Sequence, residues 1–163
     1  IKRINDYKKT PAALVATVKS NTASTIGIFT DSGTCYKVAV KKIPVVLKNG
    51  DKGEKLSEFN IPMTEKILGV FDVNDMNKSL YIVTYKGYYK QIDLNECSSN
   101  RTVKYTSLKD EDKVVYISTK NIKQLKVKTN KEDRVLKNFP TLKRTALGVK
   151  EKVWKEDEVV EKV

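Results

Sequence analysis

What most restricts this chain is a strand-turn-strand pattern that returns at intervals too short for separate domains. Thr25-Ile26-Gly27-Ile28-Phe29-Thr30 is an apolar, β-branched run that stops at Asp31-Ser32-Gly33, and Cys35-Tyr36-Lys37-Val38-Ala39-Val40 resumes with near-alternating polarity. Two such runs about a glycine turn are a hairpin signature. The pattern returns at residues 80–84 and 88–92 about Tyr85-Lys86-Gly87. A third copy is expected at residues 114–118 and 122–125 about Thr119-Lys120-Asn121, with Asn121 replacing glycine at positive φ.

A second motif runs out of phase with the first. Leu108-Lys109-Asp110-Glu111-Asp112-Lys113-Val114-Val115 is echoed by Trp154-Lys155-Glu156-Asp157-Glu158-Val159-Val160, with Val115 set against Val160. Each copy reads as an acidic turn leading into a strand, so residues 150–163 are read as strand rather than helix. A basic, threonine-bearing loop precedes each: Asn100-Arg101-Thr102-Val103-Lys104, and Lys143-Arg144-Thr145-Ala146-Leu147-Gly148-Val149-Lys150. A degenerate repeat of about 35–55 residues with three or four short strands predicts an all-β, propeller-like set of blades. A Greek-key sandwich is the other architecture that yields irregular β repeats. The 163 residues suffice for one repeat-built domain spanning 1–163 with a real core. The opening at Ile1, inside a charged stretch and without methionine, is read as a fragment of a longer chain.

Several chemistries are excluded early. Histidine is absent, which removes every mechanism needing an imidazole. The two cysteines, Cys35 and Cys97, lack metal-ligand spacing and read as free thiols of a reducing, cytoplasmic compartment. No apolar run approaches the roughly 20 residues of a membrane span, so no membrane partner is expected. The triplets Asp110-Glu111-Asp112 and Glu156-Asp157-Glu158 are consecutive, so neighbours face opposite ways and read as solvated turns rather than metal sites. No phosphate-binding glycine loop is present, and no cofactor is expected. Tyr81, Tyr85, Tyr88 and Tyr89 could stack on bases, but strand tyrosines beside a hairpin more often pack blades.

The charge is more informative. Lys and Arg number 32 against 20 Asp and Glu, a formal +12, which favours a polyanionic partner. Lys2, Lys37, Lys90 and Lys123 each follow Ile or Tyr after a turn, and equivalent places in a repeat should line one continuous rim. Arg3, Lys41, Lys42, Arg101 and Lys104 add to it. Residues 134–150 contribute Arg134, Lys137, Lys143, Arg144 and Lys150 with no acidic residue between. Only four residues are arginine: Arg3, Arg101, Arg134 and Arg144. Lysine acts on phosphate as a point charge, whereas guanine is read mainly by arginine, so backbone binding with little sequence preference is expected. A protein-interaction β-propeller fragment with a solubilising basic surface is the alternative.

Taken in order, these pieces resemble the C-terminal domain of the bacterial type IIA topoisomerase breakage subunit, of gyrase or topoisomerase IV. The match rests on Phe29 to Lys37 followed by Val40-Lys41-Lys42-Ile43-Pro44, and on Val83-Thr84-Tyr85-Lys86-Gly87-Tyr88-Tyr89-Lys90. It also rests on Ile1-Lys2-Arg3 through Tyr7, and on Thr145 to Lys150 with Trp154 to Val160. The resemblance implies a β-pinwheel, here an open arc of about three to four blades, that bends double-stranded DNA around a basic rim for strand passage. It implies as partners the remaining domains of the subunit and the ATPase subunit. The catalytic tyrosine, Mg and ATP would belong to the parent enzyme outside this domain. The gyrase-specific Gln-Arg-Arg-Gly-Gly-like box, expected just after Tyr7, is replaced by Lys8-Lys9-Thr10-Pro11, which favours a topoisomerase IV-like or divergent subunit.

Overall fold

A computed structural model describes residues 1–4, 14–46 and 52–163. The segment after Tyr7, where the gyrase-type box is expected, and Tyr7 itself lie outside the described residues. Twelve strands are present among those described: β1 (Arg3–Ile4), β2 (Thr25–Thr30), β3 (Thr34–Ala39), β4 (Val45–Val46), β5 (Ile67–Asp72), β6 (Ser79–Thr84), β7 (Tyr89–Asp93), β8 (Val103–Lys104), β9 (Val114–Ser118), β10 (Gln124–Thr129), β11 (Asp133–Lys137) and β12 (Val160–Lys162). The helices among them are 3-10 turns of three or four residues, and none is long and apolar enough to cross a membrane.

Three hairpins organise these strands: β2–β3, β6–β7 and β10–β11, all antiparallel. The first two turn at Gly33 (φ 79) and Gly87 (φ 96), where positive φ favours glycine. The third is not where the sequence placed it. β9 pairs with β6, not β10, and β10 turns back on β11 through residues 130–132. Asn121 is not among the residues with positive φ, and its side chain accepts a hydrogen bond from Tyr81 Oη at 2.9 Å. The expectation failed because β9 and β10 are consecutive and apolar yet belong to different sheets.

Each hairpin gains a third strand from further along the chain: β5 and β9, each just before the next hairpin, flank β2 and β6, and β12 flanks β10. The fourth place is filled from beyond the next hairpin. β8, which follows β7, pairs with β3. Beside β7, Val149 bridges Tyr89 and Thr141 bridges Gln91. The molecule is therefore an open, all-β series of sheets in the order β5-β2-β3-β8, β9-β6-β7 and β12-β10-β11, with a two-stranded β1–β4 sheet besides. Neighbouring sheets are also tied by backbone bonds, from Val114 N to Asp31 O and from Val160 N to Tyr85 O, both 2.8 Å.

Period-2 alternation buries both faces of the inner strands, which is why they read as apolar runs. On β2, Ile26 and Ile28 enter one cluster with Val38, Val40, Ile43 and Ile61, while Phe29 faces a second with Cys35, Leu80, Ile82, Ile92, Leu94, Cys97 and Tyr105. On β6, Leu80 and Ile82 face that second cluster, and Tyr81 and Val83 face a third with Tyr89, Val127, Leu136, Phe139, Trp154 and Val160. The core thus lies in slabs between successive sheets.

β1 and β4 repeat the β7 edge. Arg3 N donates to Pro44 O at 2.8 Å and Arg3 Nε to Ile43 O at 2.5 Å. Gln91 N donates to Pro140 O at 2.9 Å and Gln91 Nε2 to Phe139 O at 2.8 Å. Arg3 thus stands where Gln91 does, and Lys2 where Lys90 does.

Candidate nucleic-acid interface

Hairpin register decides where each post-turn cation points. In β2–β3, Ile28 faces Tyr36 and Gly27 faces Lys37; in β6–β7, Ile82 faces Lys90; in β10–β11, Val127 faces Arg134. The partners Ile28, Ile82 and Val127 each stand two residues before a closing threonine (Thr30, Thr84, Thr129), so Lys90 is equivalent to Tyr36 and Arg134. Lys37 lies one residue further on, which turns it to the opposite face of its strand. Lys123 stands just before β10, the first strand of its hairpin. The four lysines do not share one motif position: Lys2 and Lys90 do, Lys37 and Lys123 do not.

Lys90 is 1% exposed, so it is not a rim cation. Its ammonium donates to the carbonyls of Ala146 at 2.6 Å, Lys143 at 2.9 Å and Arg144 at 3.4 Å. Burial lowers its pKa to about 8, against the opposing charge of Glu96. Lys37, at the register of Gln91, makes its own loop contact on the other face: its Nζ donates to Arg101 O at 2.9 Å, and its backbone amide to Thr102 Oγ1 at 3.1 Å.

Arg134 is also taken up by the fold. It grips Glu158 through Nε–Oε2 at 2.5 Å and Nη2–Oε1 at 2.7 Å, donates to Val153 O at 3.1 Å and pairs with Glu132 at 3.1 Å. Its guanidinium lies 5.3 Å from the Trp154 ring centroid. Of that acidic triplet Glu156 and Asp157 form an exposed turn, as expected, but Glu158 is buried. The hydrogen bonds from Arg134 outweigh burial and hold its carboxyl down at about 2. Thr129 Oγ1 donates to Glu158 Oε2 at 2.6 Å.

The first hairpin carries the same device in neutral form. Thr30 Oγ1 donates to Glu65 Oε1 at 2.6 Å, Tyr36 Oη donates to Glu65 Oε2 at 2.7 Å, and Ser32 adds its hydroxyl. Burial raises the Glu65 pKa, but these hydroxyl bonds outweigh it and leave the carboxyl below its ordinary value. In the second hairpin the corresponding acid is Asp112, one methylene shorter. Its Oδ1 accepts the amides of Lys86 and Lys113, while its buried Oδ2 has no partner. Thr84 Oγ1 there accepts the Tyr88 amide at 3.1 Å. The three acids each stand two residues before an outer strand, and Leu108 and Trp154 seat on Gly33 and Gly87. Sequence comparison found this echo but set Val115 against Val160; pairing of Thr84 with Val114 and of Thr129 with Val160 makes Val114 the true counterpart.

Of the other candidate cations, Lys41, Lys42, Arg101, Lys104, Lys123, Lys137 and Lys143 are exposed, and Lys2, Arg3, Lys37, Arg144 and Lys150 are half-buried. Lys150 rests over the Tyr88 and Trp154 rings at 5.6 and 5.8 Å. Bonds gather one group of them. Lys37 touches the Arg101 carbonyl, and Arg144 Nη1 donates to Lys104 O at 3.1 Å. Lys37, Arg101, Lys104, Lys143 and Arg144 therefore stand together where the β8 edge of the first four-stranded sheet meets the 143–146 loop of the next. The sequence missed Ser107, whose hydroxyl donates to Thr145 O at 2.6 Å and ties that loop down; an isolated serine carried no signal.

The tyrosines mostly pack. Tyr81 and Tyr89 are buried against Phe139, edge to face at 5.4 and 5.0 Å. Both thiols are free and buried, and burial raises them to about 12 at Cys35 and about 11 at Cys97. Among the described residues no group of three or more Cys, Asp or Glu is placed to hold a metal ion.

No family model matches the sequence, and no curated protein does. Solved structures do match in fold. The C-terminal domain of a DNA topoisomerase IV superposes with a TM-score of 0.73 at 22% identity, covering 86% of this chain and 46% of that one. The E. coli ParC C-terminal domain gives 0.68 at 13% identity, covering 88% and 62%. A DNA gyrase A C-terminal domain gives 0.54 at 16% identity, covering 98% and 55%. The chain spans about half the length of these structures and shares their β-pinwheel fold.

Proposed function

We propose that this chain is a non-catalytic DNA-binding and DNA-bending domain of a type IIA topoisomerase, guiding duplex DNA for strand passage. The observation that carries the reading is the group of Lys37, Arg101, Lys104, Lys143 and Arg144 beside adjoining sheet edges of an open arc, on a chain with formal charge +12. Lys41, Lys42, Lys123, Lys137 and Lys150 extend the basic surface, with Lys2 and Arg3 at the β1–β4 sheet. Lys90 and Arg134 support that surface from within. The fold supports a place in such an enzyme, whose remaining domains and ATPase subunit are the proposed protein partners. Mg and ATP are assigned to the parent, and the site of action to the cytoplasm.

Rim lysines would displace counterions along a curved duplex. Bending 20–30 base pairs by 40–90° costs on the order of 1–6 kcal/mol, which several phosphate contacts must offset. With about six phosphates neutralised, log K falls against log salt with a slope of roughly −5, equally for unrelated sequences. A salt series of anisotropy titrations on two unrelated duplexes measures both. Lys104→Glu and Lys143→Glu each weaken binding without altering base preference. Affinity that ignores salt, or no binding at low salt, overturns the reading.

A further inference from the structure

We propose that Lys90 is a positioning residue for nucleic-acid binding: its ammonium shapes the 143–146 loop so that Lys143 and Arg144 are displayed to phosphate. This rests on the DNA-binding reading above and adds a residue that never touches the ligand.

The geometry is unusual for a lysine. The side chain is 1% exposed, and all three of its partners are carbonyls of one short loop: Lys143, Arg144 and Ala146. The remaining carbonyl, of Thr145, accepts from Ser107 Oγ at 2.6 Å. Four successive carbonyls thus turn toward the protein, a crowding of partial negative charge that a buried cation offsets. With its carbonyls committed inward, the loop leaves the Lys143 side chain exposed and sets Arg144 against Lys104 O at 3.1 Å. The Arg144 amide adds a bond to Glu96 Oε1 at 3.3 Å. One buried ammonium therefore joins β7 to a loop that carries two cations beside Lys104.

Equivalent positions show that the hairpin does not itself require a lysine here. Tyr36 and Arg134 occupy the same register and turn chiefly to carboxylates, Glu65 and Glu158, with one further Arg134 bond to Val153 O, whereas Lys90 has backbone carbonyls alone. Since arginine is accommodated at that register in the third hairpin, Lys90→Arg is the conservative variant.

The experiment is a mutant cycle read by anisotropy on a short duplex of mixed sequence, with amide exchange recorded on the same proteins. Lys90→Met is expected to weaken binding on the order of tenfold and to speed exchange at residues 143–146 while β10 is unchanged. In the Lys143→Ala/Arg144→Ala background its effect on binding disappears, and Lys90→Arg restores most of the affinity. Ser107→Ala loosens the same loop without touching Lys90; it should show the same non-additivity and supplies the test if Lys90→Met does not fold. A Lys90→Met or Ser107→Ala loss that persists in full without Lys143 and Arg144 overturns the proposal, as does unchanged loop exchange. Wild-type protein that fails to bind duplex DNA sinks the DNA-binding reading and this role with it, whereas wild-type binding with an additive cycle sinks this role alone.

Discussion

At the scale of single residues, the three acids that precede outer strands set a gradient of completeness. Glu65 and Glu158 receive hydroxyl and, for Glu158, guanidinium donors, whereas Asp112 leaves a buried oxygen bare. Lengthening the acid should let it reach Thr84 as its counterparts reach Thr30 and Thr129. Asp112→Glu is therefore expected to stabilise by about 1 kcal/mol, raising Tm by roughly 2–4 °C in a thermal melt, and Thr84→Val should cancel the gain. Glu158 makes the opposite prediction under acid. Its folded pKa of about 2 lies below the ordinary 4.5, so its stabilising effect is whole above about pH 5 and drains as pH falls through 4.5 toward 2. Glu158→Gln should cost on the order of 3 kcal/mol at neutral pH and flatten that part of the acid-unfolding profile. A variant that keeps the wild-type acid slope assigns the slope to other carboxylates.

The elements show how far local pattern reaches. β2–β3 and β6–β7 were legible because apolar runs end at glycines whose φ is positive in the fold. The β10–β11 hairpin was not, since Lys126, Lys128 and Arg134 break its apolar run and its turn has no glycine. Cationic anchors were legible as charge but not as direction: one extra residue between Gly33 and Lys37, relative to Gly87 and Lys90, reverses the face. Burial then separates Lys90 from Lys104, which no composition could do. Trp154, the chain's single tryptophan, reports on the joint between β6–β7 and β10–β11, because a Cβ at Gly87 would lie 2.6 Å from its ring. Gly87→Ala meets both that ring and a backbone at φ 96, and is expected to cost about 2–4 kcal/mol. The measurements are a lower Tm and a red-shifted indole emission; unchanged emission would place the ring elsewhere.

For the whole molecule, exchange of strands between sheets makes stability collective. β8 reaches back past β7 to β3, and Thr141 and Val149 reach back past β11 to β7. Ending the chain after residue 140 is therefore expected to damage the middle sheet as well as the last, since Tyr89 loses both bonds to Val149 and the Trp154–Val160 slab goes. Amide exchange at Tyr89 and a broadened, lowered melt would show it; a middle sheet that keeps its protection would refute it. The same reach-back has a genealogical consequence. A copy-and-paste event cannot cleanly excise the first or the second sheet, because each draws its last edge from beyond the following hairpin. The inheritable module must straddle two neighbours, so lengthening or shortening the arc by duplication is workable only at breakpoints that hand each half-finished sheet its missing edge.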